Sequence, residues 1–402
     1  MYSYRINNLC RNFIRVTVKL QPKQNAILPS RYYAASDKKS EPSTFKLAMM
    51  GTAIGAAVGT AYSTYSQWHE KTDHMIHERK HPKVLSRLPK VKITKKVVNP
   101  KDDTDLDLVL FQFQTCPFCC KVRAFLDFLG LSYSIVEVDA VLRQDLKWSE
   151  YKKVPMLLAK QRDGKYVQLT DSSTIVSILS SYMLDKNQDI GELVKLYPNV
   201  SFFDDKGKKV YDILNKYFLM FGDKNKPSTS KEDQLSERQW RSWVDTHLVH
   251  LISPNVYRSW NESLETFEWF SDAGEWSIHF PKWERDLMVY VGAVAMWILS
   301  KRLKTRYGLD DDVRSHIYDA LDKWTDSLEK KKTKFMGGKQ PNLADLAVFG
   351  VLSSMEGCQA FKDCLQNTKI REWFYAVKDI VNKNKGTIIR ETVIGDQNKI
   401  SL

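Results

Sequence analysis

At 402 residues and 43% apolar composition, the chain is long enough for two domains with real cores, which excludes wholesale disorder. The formal charge is +13, but residues 1–100 hold 18 Lys/Arg against 5 Asp/Glu and the rest hold 43 of each, so the body is neutral and nucleic acid is discounted as a partner. Six cysteines are too few for a secreted disulfide scaffold and fit a reducing compartment.

Residues 1–35 carry Arg5, Arg11, Arg15, Lys19, Lys23 and Arg31, with no acid before Asp37, while Leu9, Phe13, Ile14 and Val18 recur roughly at helical spacing. This Arg-bearing, acid-free, amphipathic pattern predicts a mitochondrial leader and a place at a mitochondrial membrane, with the Golgi or another endomembrane as the alternative. From 47 to 68 there is no charged residue, and Gly51, Gly55 and Gly59 make two overlapping small-residue steps. A membrane span or anchor is expected at about 47–66. Residues 69–100 hold nine Lys/Arg, three acids and His69, His74, His77 and His81, and read as a basic stem beside anionic lipid. Anchor and stem together occupy 36–104.

The acidic run DDTDLD ends at Asp107, and LVLFQFQ over 108–114 is continuous enough in apolar residues for a strand covered on both faces. In QTCPFCCKVRAFLDFLG, Val122, Phe125, Leu126 and Leu129 have helical spacing and Gly130 is a stop. Residues 132–140 predict a second strand, 143–153 a helix, VPMLLAK a third strand from Val154–Pro155, 165–170 a fourth, and 171–184 a helix. The order βαβαββα, with Cys-x-x-Cys at the first strand-to-helix turn, is the thioredoxin arrangement, here over 105–185.

Cys116 falls just before the helix, where unpaired N–H groups and the helix dipole favour an anion, so it is expected to be the nucleophile. Pro117 suits the first helical position, where a missing N–H costs nothing. Cys119 is expected to act as a resolving thiol and Cys120 to be a packed free cysteine. Zinc would need a second ligand pair, which Cys358 and Cys364, far downstream, do not offer, so no metal is expected. Val154–Pro155 is expected to be cis, which exposes the Val154 backbone to a thiol-bearing peptide. TDSS over 170–173 starts a helix whose N–H groups suit a carboxylate, while Asp171 suits an ammonium. Together Cys116, Val154, Pro155, Asp171 and Ser172 would suit glutathione, thiol at one end and γ-glutamyl group at the other.

Residues 186–236 read as a connector with a short helical piece around 209–220, and the patterns over 237–392 are helical. ERQWRSWVDTHLVHLI puts Trp240, Trp243, Val244, His247, Leu248 and Leu251 near one face, with His247 and His250 read as structural. The thirteen-residue apolar run over 287–299 is too short to span a bilayer and is expected to be a buried core helix. In PNLADLAVFGVLSSMEG, Asn342 followed by Asp345 resembles the N-capping box of glutathione-transferase helical domains. The expected fold class is α+β: a thioredoxin/glutaredoxin-like domain, then an all-α glutathione-transferase-like domain, behind a leader and an anchor.

TCPFCCKVRAFLDFLGLSYSIVEVD, KVPMLLA, LTDSS, WVDTHLVHLISPNVYR and KFMGGKQPNLADLAVFGVLSSMEG resemble the membrane-associated prostaglandin E synthase type 2 family over roughly 105–385. The resemblance implies isomerisation of prostaglandin H2, or a related lipid peroxide, to prostaglandin E2. It also implies glutathione or another thiol, haem bound together with glutathione, and a homodimer. It makes Cys116 the catalytic thiol, has Phe118 line the site, and matches Val154, Asp171 and Ser172 to glutathione positions. Phe113 stands where vertebrate members have Tyr, and Cys120 where a Ser is expected. The alternatives are a mitochondrial glutathione-dependent thiol oxidoreductase or transferase, suggested by the Cys116/Cys119 spacing, and a non-catalytic haem- or glutathione-binding protein tethered to a membrane.

Overall fold

The computed structural model describes residues 82–390 apart from 140–141, 204–208, 223–224 and 228. The expected leader and anchor lie outside these residues. Strand β3 (Leu108–Gln112) is buried at all five positions, as its unbroken apolar sequence requires of a strand covered on both faces. It pairs in parallel with β4 (Tyr133–Glu137) and antiparallel with β5 (Met156–Lys160), which pairs antiparallel with β6 (Tyr166–Thr170). Between them run α1 (Pro117–Leu129), stopped by Gly130 at φ 67°, and α2 (Ser172–Leu184), begun by the Asp171 cap. Gly130 is required there because the left-handed turn closes the helix with N–H bonds to the Asp127 and Leu126 carbonyls.

Three short strands extend this four-stranded centre to seven, in the order β1-β6-β5-β3-β4-β2-β9: β1 (Val84–Leu85) and β2 (Lys95–Val98) come from the expected basic stem, and β9 (Thr387–Arg390) from near the C-terminus. Two strands from the stem therefore flank the four-stranded centre on its two sides, and β9 closes the edge beyond β2.

The expected helix over 143–153 is not formed. Only a 3-10 turn, Gln144–Leu146, is present. Leu146 is fully buried, Trp148 packs on Phe111 with ring centroids 5.5 Å apart, and the Ser149 hydroxyl bonds the Gln168 side chain at 3.1 Å. Side-chain docking on the sheet has overridden a helical pattern. The helical piece expected near 209–220 is also absent. The expected connector over 186–236 instead holds α3 (Ile190–Lys195) and a hairpin of β7 (Asn199–Phe203) and β8 (Lys209–Ile213), followed by a turn with Asn215 at φ 62°.

The helical part comprises α4 (Lys231–Trp243), a π-helical turn Val244–Leu248, α5 (Val249–Val256), α6 (Trp260–Ala273), α7 (Trp276–His279), α8 (Lys282–Arg306), α9 (Val313–Lys331), α10 (Leu343–Ser353), α11 (Gln359–Asn367) and α12 (Ile370–Asn384). One continuous core joins α1 and α2 to α4, α5, α9, α10 and α12, and a smaller one around Phe111, Val136 and Leu158 lies under the other face of the sheet. The architecture is thus a thioredoxin-type sheet with a glutathione-transferase-like helical region, as expected.

The capping box at α10 is complete. Asn342 Oδ1 accepts from the N–H of Ala344 and Asp345, and Asp345 returns a bond to the Asn342 N–H at 2.9 Å. Buried Asp345 also accepts from the N–H of Met336 and Gly337 and from the Trp373 indole, so it ties three segments together.

Helix α8 departs from expectation. Met288, Val289 and Ala293 are buried, but Trp283, Leu287, Tyr290, Val291, Val294 and Ile298 are exposed, Tyr290 by 56%. An apolar run without polar interruption carries no period, so it cannot announce that only one face is covered. Among the described residues no helix is long and apolar enough to cross a membrane.

Candidate active site

Sheet register gathers the expected site residues. Phe111 pairs with Met156, and Met156 with Thr170. The turn carrying Cys116, the Val154–Pro155 peptide (which is cis) and the Asp171 cap therefore leave one edge of three adjacent strands. At about 4.8 Å between strands, Phe111 and Thr170 lie roughly 10 Å apart.

Cys116 is the N-cap of α1, extended at φ −71° and ψ 126°, half-buried, with Pro117 in the first turn. A hydrogen bond from the Cys119 thiol, helped by the N–H groups of Cys119 and Phe118 and the charge of Arg123, holds Cys116 below the ordinary thiol range despite burial. Cys119 is fully buried and is pushed well above that range, first by burial and then by the neighbouring sulfur anion. The two thiols are therefore split into a ready thiolate and a reluctant one. All five described cysteines are free thiols.

Cys120 does more than pack. Its thiol donates to the Gln114 carbonyl at 3.4 Å and accepts from Arg123 Nη2 at 3.0 Å. Arg123 also donates to the Gln112 side chain and the Gln114 carbonyl, and Glu137 accepts from Gln112 Nε2 at 2.9 Å and from the Gln114 N–H. This buried set braces the strand end from which the cysteine turn springs. Phe113 is half-buried with the Arg143 guanidinium 5.9 Å from its ring centroid. Phe118 is half-buried with Lys121 Nζ 5.8 Å from its ring centroid.

Asp171 holds φ 66° and ψ 121°, a region that L-residues avoid. Its Oδ1 accepts from the Thr174 N–H at 2.9 Å, which fixes the carboxylate at the mouth of α2. Ser172, first in α2, is buried, as is Pro155, while Val154 is half-buried.

The residues that sequence reasoning missed lie behind Asp171. Lys216, from the turn after β8, pairs with Asp171 Oδ2 at 2.9 Å. Lys121 on α1 is almost wholly buried, pairs with Asp245 Oδ1 and donates to Ser173 Oγ at 2.8 Å. Asp245 Oδ2 accepts from Ser173 Oγ at 2.6 Å and from the Tyr217 phenol at 3.1 Å. Burial of Lys121 lowers its pKa, while Lys121 and Lys216 hold Asp245 below the carboxylate range against its own burial. Asp245 sits in the π-helical turn, the local irregularity that brings it to the cluster. The Lys216–Tyr217 segment is pinned by Ser177 Oγ donating to the Lys216 carbonyl at 2.6 Å and Arg241 donating to the Tyr217 carbonyl at 3.1 Å. Nothing in the local pattern of 186–236 signals this. The one hint is a Lys-Tyr pair inside an otherwise turn-rich stretch.

His247 and His250 do not join the site: His247 is exposed, 5.7 Å from Trp243, and His250 stacks on Tyr307 at 4.5 Å. Among the described residues no group of three or more His, Cys, Asp and Glu is placed to hold a metal ion.

Residues 110–182 match the glutathione S-transferase N-terminal domain family. Prostaglandin E synthase 2 of Mus musculus is 40% identical over 351 residues, 87% of this chain and 84% of that protein. Prostaglandin E synthase 2 of Danio rerio is 47% identical over 274 residues, 68% of this chain and 70% of that protein. A rice glutathione S-transferase solved in complex with glutathione is 15% identical, with a TM-score of 0.39, over 69% of this chain and 91% of that one.

Proposed function

The chain belongs to the prostaglandin E synthase 2 family, and from that membership we propose that it is an isomerase converting prostaglandin H2 to prostaglandin E2 at Cys116. The observation that carries this reading is the Cys116 sulfur, placed at a helix start and held below the ordinary thiol range by Cys119. Its thiolate attacks the endoperoxide oxygen on C9, forming an S–O bond and breaking the weak O–O bond. The C11 oxygen leaves with the electron pair and takes a proton from water. The C9 proton is lost to water as the C9–H electrons form the ketone and expel the thiolate. Atoms and electrons balance without an external oxidant, and Cys116 is regenerated. Phe113 and Phe118 supply apolar walls for a lipid substrate.

Glutathione, when bound, supplies a second thiol beside Cys116. Val154, Asp171 and Ser172 are the residues that would hold it, and an Asp171 carboxylate fixed at a helix mouth is the observation that fits. Among the described residues nothing marks a seat for haem.

The split pair Cys116/Cys119 favours a second reading, a glutathione-dependent thiol oxidoreductase, because one low and one high thiol pKa is the pattern of disulfide exchange. Purified protein given prostaglandin H2, with and without a dithiol, separates the two. Prostaglandin E2 above the uncatalysed level, lost in Cys116→Ser, supports the isomerase. Uncatalysed levels together with brisk reduction of mixed disulfides favour the second reading.

The same reading extends to assembly and place. The exposed α8 stripe is proposed to seat a second copy about a two-fold axis. Antiparallel pairing there sets Glu284 in the first turn against Lys301 and Arg302, one turn before the helix end, with Leu287 opposite Ile298. Residues 1–35 and about 47–66 are proposed as a mitochondrial leader and a membrane anchor that keep the body near a lipid substrate. Imaging of a tagged full-length chain tests both, and a chain spread through the cytosol overturns them.

A further inference from the structure

Arg123, one turn beyond Cys119 on α1, reaches back toward the strand end that precedes the helix. Its Nη2 donates to the Gln114 carbonyl and, at 3.0 Å, to the Cys120 sulfur, and its Nη1 donates to the Gln112 side chain. Gln114 lies two residues before Cys116, and both its backbone groups are held: the carbonyl by Arg123 and the Cys120 thiol, the N–H by Glu137. The turn then closes with the Cys116 N–H on the Phe113 carbonyl at 3.1 Å and the Cys120 N–H on the Cys116 carbonyl at 2.9 Å. Gln112, wholly buried and opposite Glu137 in the register of β3 and β4, stands between Arg123 and Glu137. It accepts from the guanidinium with Oε1 and donates to the carboxylate with Nε2 at 2.9 Å. Among the described residues Arg123 contacts no carboxylate, so its charge is not cancelled by a contact ion pair.

We propose that Arg123 is a positioning residue for Cys116, a cation that clamps the cysteine turn onto α1 and stabilises the reacting thiolate with its charge. The proposal rests on the reading of Cys116 as the reacting thiol. A guanidinium stays charged at any pH the protein meets, and its planar fork reaches three acceptors that one ammonium cannot. The groups that titrate around Cys116 are Cys119 and Cys120 on α1, Glu137 on β4 and the buried Tyr257 phenol after α5, which burial and then the Cys358 and Cys116 sulfurs hold in its neutral form. Arg123 is the cation of this set. At Cys116 the bond from Cys119 is the first influence lowering the pKa, and Arg123 acts in the same direction. At Cys119 and Cys120 burial raises the pKa, and Arg123 works against it. The clamp matters for place as well as charge. The N–H groups of Phe118 and Cys119 favour the Cys116 anion, and a strand end released from α1 would carry the sulfur away from them.

The test is the pH profile of iodoacetamide labelling at Cys116, read by peptide mapping of the reduced full chain, with turnover of prostaglandin H2 and thermal unfolding measured alongside. In Arg123→Met the labelling midpoint should rise by about one unit, the worth of one nearby cation in a partly screened site. The kcat at pH 7 should fall by up to about tenfold, following the thiolate fraction, while KM stays, because Arg123 touches no substrate. Arg123→Lys keeps the charge and loses the fork, so it should return most of the midpoint while the melting temperature stays lowered. Loss of packing alone does not give that split between midpoint and stability. Where Arg123→Met does not fold, Arg123→Gln, neutral but still an N–H donor, carries the same expected rise in midpoint. A neutral variant with the wild-type midpoint, or a Lys variant whose midpoint equals that of the neutral one, overturns the assignment of Arg123 while Cys116 stands as the reacting thiol. A wild-type midpoint at or above the roughly 8.5 of a free cysteine overturns the reading of Cys116 and the role of Arg123 with it.

Discussion

Gly350 on α10 lies so close to Lys121 on α1 that a Cβ at position 350 would run into the Lys121 backbone. The helix bearing the reactive cysteine is thus seated directly on the helical region, and its position depends on a missing side chain. Gly350→Ala should destabilise the fold by about 1–3 kcal/mol through overpacking. Because the displaced element is α1, the alkylation rate of Cys116 should fall in the same variant. Thermal unfolding and iodoacetamide labelling check the two effects together, and an Ala variant with wild-type values for both would break the link.

The Cys119 thiol is the largest influence lowering the Cys116 pKa. A bond donated to a thiolate favours the charged form, so losing the donor must raise the pKa. In wild type, labelling of Cys116 should rise with pH at a midpoint below the roughly 8.5 of a free cysteine. In Cys119→Ala the midpoint should move up, and Cys119→Ser, which keeps a donor, should fall between. A midpoint unchanged in the Ala variant would show that the helix start alone sets the reactivity.

Removing one member of the buried Lys121–Asp245 pair leaves a charge stranded in the core. Lys121→Met and Asp245→Leu should each cost about 3–5 kcal/mol, and the double variant should recover much of the loss. Denaturant titration of the four proteins closes the cycle. Additive losses would mean that Ser173, Tyr217 and Lys216 already satisfy each partner without the other.

Asp345 accepts four donors drawn from the turn before α10, from the start of that helix and from α12. Asp345→Ala should cost about 3 kcal/mol or more, since several buried donors lose their acceptor. Asn342→Ala removes only the cap and should cost about 1 kcal/mol. Equal losses in the two variants would refute this division of labour.

If α8 seats a second copy, Val294→Arg should convert a dimer into a monomer in sedimentation velocity at micromolar concentration, with the fold unchanged by circular dichroism. A wild-type chain that sediments as a monomer there would rule the pairing out.

Local sequence determined much of this protein. Cys116, Pro117 and Gly130 mark the ends of α1 because a cap, a residue without N–H and a left-handed stop act within one or two turns of backbone. The capping box at Asn342 and Asp345 was legible for the same reason, and the unbroken apolar run of β3 announced a strand covered on both faces. What tertiary structure alone decided are relations between distant segments. The pattern over 143–153 is helical, but Trp148 and Ser149 find better partners on the sheet. The run over 287–299 is apolar all round, and only packing leaves one face bare. Lys216 lies 45 residues beyond Asp171, and no periodicity links them. Their pairing exists because a turn with Asn215 at positive φ is pinned to Ser177 and Arg241, and a long-range ion pair leaves no trace in the neighbourhood of either residue.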